Sequence, residues 1–193
     1  MIIIGITGTL GSGKGTVVEY LVSKGFKHYS ARAFIEEEVR RRGLPATRDS
    51  TASVGNDLRV SHGAQYIAVE LYKRAREEGA NAVIESLRAP AEVEYLRAEG
   101  QGDFLLWAAD APPEKRYQWI RGRGSHTDNV TFEKFLADEA REMHSDDPTK
   151  QNIAACIKMA DTVFINDGSK EDLWRKVGAA LEDFRHKLAS VSS

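Results

Sequence analysis

Apolar runs and apolar stripes take turns along this chain, and their periods predict its elements. Residues 1–7 open with the β-branched run Met1-Ile2-Ile3-Ile4, resuming at Ile6. An unbroken run of this kind is the pattern of a parallel strand covered by helices on both faces. Short runs at residues 26–29, 81–87, 104–109 and 161–166 predict four further strands. Helical periods fill the intervals. Val17, Val18, Leu21 and Val22 mark a helix over residues 14–25, and Phe34, Ile35 and Val39 mark one over residues 31–42. A polar loop is expected at residues 43–53, then a longer helix over residues 54–78 carrying Asn56, Asp57, Arg59, His62 and Gln65. Further helices are predicted at residues 91–99, from Pro112-Pro113 onward, and after Thr131, where Phe132, Phe135, Leu136, Ala140 and Met143 form an apolar stripe. Two more follow, at residues 149–160 and after Ser169, the last with Leu173, Val177, Ala180, Leu181, Phe184 and Leu188 on one face.

Strands alternating with helices predict an α/β fold, a three-layer α/β/α sandwich around a five-stranded parallel sheet. At 193 residues the chain suits a single domain. Two stretches depart from strict alternation, residues 31–78 and residues 116–148. Both are expected as inserts over the ligand edge of the sheet.

Charge and cysteine content narrow the function classes. Lys plus Arg (27) nearly balances Asp plus Glu (29), for a net charge of −2, which argues against a nucleic-acid surface. The single cysteine, Cys156, sits in an apolar helical context and reads as a core thiol in a reducing compartment. No run approaches membrane-spanning length, so a cytoplasmic protein without membrane partners is expected. The sequence carries no signature of a particular oligomeric state. The Glu36-Glu37-Glu38 block four residues ahead of Arg40-Arg41-Arg42 reads as exposed ion pairs rather than a metal site.

The chemistry concentrates behind the first strand. Gly8, Gly13 and Lys14 fit the pattern G-x-x-x-x-G-K between a buried strand and a helix. Glycines let successive backbone N–H groups turn onto a phosphate, the helix presents its positive end, and the lysine reaches the β/γ oxygens. Loops at the carboxyl ends of parallel strands form ligand sites, which places Glu85, Ser86 and Arg88 beside this loop. Arg116, Arg121 and Arg123 adjoin the glycine-containing segment GSHTDN and fit a lid that closes over ATP, with Arg141 counted among its arginines. Arg59 and Arg88 stand on the opposite side of the cleft as candidates for an acceptor's phosphate.

The form GSGKGT, with Gly15 directly after the lysine and Thr16 next, resembles adenylate kinases and other nucleoside monophosphate kinases. The order of later elements is similar to a poorly characterised branch related to adenylate kinase and dephospho-CoA kinase. Residues 84–88 match its I-D-G-x-R element, Arg116, Tyr117 and Arg123 its lid helix, and residues 160–169 its A-D-x-x-I-x-N-x-G-S element. The resemblance implies transfer of a phosphoryl group from ATP, with Mg2+, to a small nucleotide-like acceptor. It implies ATP contacts from Gly8, Gly11, Ser12, Gly13, Lys14, Gly15 and Thr16, with Asn166 and Gly168 against adenine. It further implies acceptor contacts from Arg59, Glu85 and Arg88, and Arg123 bridging the transferring group.

Several positions depart from the pattern. The G-D-M-L-R run of adenylate kinases is replaced by residues 30–36, which lack its aspartate and its terminal arginine. Glu85 stands where aspartate is usual, and Trp119 where an arginine commonly stacks on adenine. With no Ser or Thr at position 15, Thr16 and Glu85 are the candidates near magnesium. The competing reading is a nucleotide-binding regulatory protein without efficient transfer. Against switch and motor proteins stand the missing N-K-x-D element and the alanine that follows Asp110.

Overall fold

The computed structural model describes residues 1–122 and 130–191; Arg123 and the GSHTDN segment expected in the lid lie outside the described residues. Among the described residues five strands form one parallel sheet: β1 (Ile3–Gly8), β2 (Lys27–Ser30), β3 (Ala82–Glu85), β4 (Phe104–Asp110) and β5 (Thr162–Ile165). Their order is β2-β3-β1-β4-β5, so β1 is central and its two neighbours come from later in the chain.

The unbroken apolar run of β1 is divided between two cores by the two-residue period of a strand. Ile4 and Ile6 join Val83, Trp107 and Phe164 on one face, under α1 (Lys14–Ser23) and α9 (Lys170–Val191), which contribute Val17, Leu21, Leu173, Val177 and Leu181. Ile3, Ile84 and Leu106 face the other way. They meet α2 (Ala31–Arg41), α3 (Arg48–His62), α4 (Tyr66–Glu78), α5 (Pro90–Gly100) and α8 (Ile153–Lys158). The result is the expected α/β/α sandwich. The remaining helices, α6 (Pro113–Gly122) and α7 (Phe132–Met143), pack on each other through Tyr117, Phe132 and Phe135.

Three expectations are corrected. The helix expected over residues 54–78 is two helices, α3 and α4, parted at Gly63, whose φ of 103° is left-handed backbone that favours glycine. The loop expected at residues 43–53 ends early, because Thr47 caps α3 by accepting the Ser50 amide at 3.1 Å. That first turn, Arg48-Asp49-Ser50, is polar and leaves no apolar period to read. The apolar stripe of α7 is only partly inside: Leu136 and Ala140 are exposed, and the buried positions are Phe135, Asp138 and Glu142.

Cys156 is fully buried on α8, and burial, helped by the negative charge of Glu92 and opposed by the positive charge of Arg59, pushes its thiol up to about 12. A disulfide reagent at mildly alkaline pH is therefore expected to leave the native protein unlabelled and to react fully after denaturation. Rapid labelling of the folded chain would show that α8 opens locally.

Candidate functional site

Four strand ends converge at the carboxyl edge of the sheet. Gly8 closes β1 at φ 134°, and a Cβ there would lie 2.0 Å from the Ala109 carbonyl oxygen of β4. Only glycine lets the loop leave β1 this close to its neighbour. Gly13, at φ 97°, is the N-cap of α1, and a Cβ on it would meet Asn166 Nδ2 at 2.4 Å. Asn166, just past β5, donates to the Ser12 carbonyl at 3.1 Å and so pins the loop from the far side. Asp110, ending β4, accepts from Thr9 Oγ1 at 2.7 Å. Lys14 Nζ donates to the Gly8 and Thr9 carbonyls at 3.0 and 2.7 Å, folded back along its own loop. The Ser12 hydroxyl is buried with no hydrogen-bond partner among the described residues. A phosphate oxygen suits both: it satisfies the serine and draws the lysine from its carbonyls.

The next wall comes from the end of β3. Ser86 has φ 72°, left-handed backbone that a non-glycine residue rarely adopts, at a cost of about 1–3 kcal/mol. The turn is held by β1: the Ser86 and Leu87 amides both donate to the Ile6 carbonyl at 3.0 and 3.1 Å, and Thr7 Oγ1 donates to the Leu87 carbonyl at 2.8 Å. It aims Glu85, Ser86 and Arg88 at the phosphate loop. Burial opposes ionisation of Glu85, but His28 at 3.2 Å and the positive charge of Lys14 outweigh it and hold the carboxyl below its ordinary pKa.

The sequence-predicted residues fall into three groups. Gly11, Ser12, Gly13, Lys14, Gly15, Thr16, Glu85, Arg88, Trp119, Asn166 and Gly168 line one cleft of about 460 Å³, within the range of small-ligand sites. Arg59 lies outside it, in an adjoining cavity reached past Leu10, Arg32, Ser86 and Arg88, which border both. Gly8 underlies the loop. Arg116, Arg121 and Arg141 do not line the cleft. The Arg116 guanidinium is buried: Nε donates to the Ala111 carbonyl at 2.6 Å and Nη1 to the Leu10 carbonyl at 3.0 Å, and it pairs with Glu139. It ties the tip of the phosphate loop to α6 and α7. Arg121 is exposed over the Tyr117 ring, and Arg141 is half exposed beside Asp49 and Asp138.

The adjoining cavity is lined by four arginines, Arg32, Arg48, Arg59 and Arg88, together with Glu142 and Gln151. Arg59 is fully buried; its Nε and Nη2 donate to Glu92 Oε1 at 3.1 and 2.8 Å. The other Glu92 oxygen accepts the Arg88 and Ala89 amides at 2.8 and 3.0 Å. Arg59 Nη1 has no partner among the described residues. Arg88 Nη1 donates to Glu142 at 2.5 Å and to Gln151 at 3.0 Å. Sequence reasoning missed Arg32, Arg48, Glu142 and Gln151 as site residues. Arg48 stood in an expected loop, and Glu142 and Gln151 lie 54 and 63 positions from the arginine they touch, beyond any local pattern.

A central strand, a glycine loop and a lysine at a helix N-terminus define a P-loop protein. A family model described as an AAA domain matches residues 4–145, and the chain belongs to that family. It is 33% identical over 186 residues to a UPF0200 protein of Thermococcus gammatolerans, with 94% of each chain covered, and it belongs with these proteins. Among solved structures it resembles TT1252 from Thermus thermophilus, at TM-score 0.56 and 26% identity, covering 94% of this chain and 97% of that one. A gluconokinase from Sinorhizobium meliloti shares the fold at TM-score 0.59 and 16% identity, covering 100% and 98%. Among the described residues no helix is long and apolar enough to cross a membrane.

Proposed function

We propose that this protein is an ATP-dependent phosphotransferase that moves the γ-phosphate to a small, anionic, nucleotide-like acceptor. One observation carries the reading: the phosphate-loop cleft and the arginine cavity are neighbours that share Leu10, Arg32, Ser86 and Arg88 in their walls. A donor on one side and an acceptor on the other would meet between Lys14 and Arg88. The kinase named among the structural neighbours supports the same class of reaction.

In this reading the amides at the start of α1 hold the β-phosphate, and Lys14 leaves its carbonyls for the β/γ oxygens. Thr16 and Glu85 are the residues to hold magnesium or its waters, and the ion would neutralise charge on the transferring phosphoryl group. Asn166 and Gly168 flank the base, with Trp119, 36% exposed, free to lie against it. Arg88 grips the acceptor anion, Arg59 supports it from below, and residues 31–78 form the acceptor side. Residues 116–148 are the lid region in this reading, with Arg123, Arg121 and Arg141 as its arginines and Arg116 as its anchor to the phosphate loop.

The deciding experiment is ADP release over a panel of nucleoside and deoxynucleoside monophosphates and dephospho-CoA. Turnover with at least one acceptor is expected. Nucleotide binding without turnover on any of them would favour a regulatory P-loop protein instead. With the active acceptor, Arg88→Ala should raise KM or lower kcat by roughly 10–100-fold with ATP binding nearly unchanged. An equal loss of ATP affinity would move Arg88 to the donor side.

A further inference from the structure

The acidic face of α7 occupies arginines of the acceptor side. Asp138, Glu139 and Glu142 fall on one stripe of the helix, spaced i, i+1 and i+4. Each meets an arginine from a different part of the chain. Glu142 pairs with Arg88 after β3, Glu139 with Arg116 on α6, and Asp138 lies 4.0 Å from Arg48 at the start of α3. Phe135 is the one apolar side chain among the buried positions of α7, and the other two, Asp138 and Glu142, are carboxylates. This helix is therefore held by its aromatic contacts with α6 and, on its acidic side, by arginines that suit an oxyanion equally well.

A second, independent observation points to a ligand in the same cavity. Arg59 is 1% exposed, lines the cavity beside Arg88, and keeps Nη1 without a hydrogen-bond partner among the described residues. A buried guanidinium N–H left open is costly, and an incoming oxygen atom would satisfy it. Arg88 places both Glu142 and Gln151 on the single nitrogen Nη1. The Nη1 corner that Glu142 occupies is a position where an oxygen of a phosphate or carboxylate would make the same charge-assisted bond. An oxyanion taking that position has to replace Glu142 there, and a second negative charge beside the ionised carboxylate opposes binding until it does.

We infer that the Glu142 carboxylate holds, on Arg88, the place of the acceptor's anionic group, and that the acceptor binds by displacing Glu142 and releasing α7. This rests on the acceptor side assigned under the proposed function. The displacing group is an oxyanion, a phosphate or a carboxylate, read by Arg88 and the open Nη1 of Arg59, with Gln151 remaining as the neutral partner of Arg88. Arg116 on α6 bonds both Glu139 of α7 and the Leu10 carbonyl at the loop tip, so release of α7 would take the carboxylate from the side chain that anchors the phosphate loop.

The test uses the full chain saturated with magnesium and a non-hydrolysable ATP analogue, so that added inorganic phosphate reports on the second anion site. Calorimetry should show phosphate binding tightened about tenfold or more in E142Q, since the internal competitor has lost its charge. R88A should abolish binding in both the wild-type and E142Q backgrounds. Unchanged or weaker binding in E142Q, or a gain that survives R88A, would overturn the inference. A second readout needs no variant: phosphate should speed amide exchange of residues 132–143 in the wild-type chain. Unchanged or slower exchange there also counts against it. Neither readout depends on turnover, so a failure of the kinase reading in the acceptor panel and a failure of anion displacement at Arg88 are seen separately. Sulfate and acetate arms would separate tetrahedral from planar oxyanions.

Discussion

Lys14→Ala is expected to lower kcat for phosphate transfer by about 100- to 1,000-fold, the scale of losing one charged donor at a transition state that spreads negative charge. The fold should survive. Lys14 sits in the first turn of α1, and its Nζ contacts with the Gly8 and Thr9 carbonyls are part-buried, so water can replace them. A change of no more than about 1 kcal/mol in stability follows from losing such bonds. The measurements are ADP release with the best acceptor and urea unfolding of the same preparation. Retained activity would remove the lysine from the mechanism, and joint loss of activity and fold would mean the loop is a structural element first.

Glu92→Ala should produce the largest loss of stability, roughly 3–5 kcal/mol, because it strands a buried positive charge. Glu92 and Arg59 are 0% and 1% exposed, so the pair is shielded from solvent in the native fold. The same carboxylate also receives the Arg88 and Ala89 amides, so its removal leaves two more buried donors unpaired and loosens the backbone that carries Arg88. Glu92→Gln keeps an oxygen for those amides but not the charge, and should fall between wild type and alanine. The check is the denaturant midpoint of the three proteins at constant slope. An alanine variant within about 1 kcal/mol of wild type would mean that Arg59 finds another partner or reaches water on losing its carboxylate.

The Glu92 case also marks where local pattern stops being informative. Nothing in the spacing of residues 31–78 distinguished Arg59, which is buried under the acceptor side, from its exposed neighbours Val60 and Ser61. Its partner is 33 positions away on another helix. The same is true of Arg116. Read locally it is a lid arginine, but a partner 23 positions on and two carbonyls satisfy its guanidinium under the loop. The sequence did contain weak signals for the corrected helix boundaries, namely Thr47 with Ser50 as a cap and Gly63 as a break.

What the sequence determined by itself was everything set by neighbours within a few residues. The unbroken run of β1 required a central strand, the strand–helix alternation required the parallel sandwich, and the glycines and lysine of residues 8–16 required a phosphate loop. In each case the constraint is local backbone geometry or a short period of burial. What only the tertiary structure decided was which charged side chains face the cleft and which face each other. Ion pairing has no period, and an arginine looks the same in the chain whether its carboxylate belongs to a substrate or to a helix folded over it. That choice was made when α7 brought Glu142 to Arg88 and α5 brought Glu92 to Arg59.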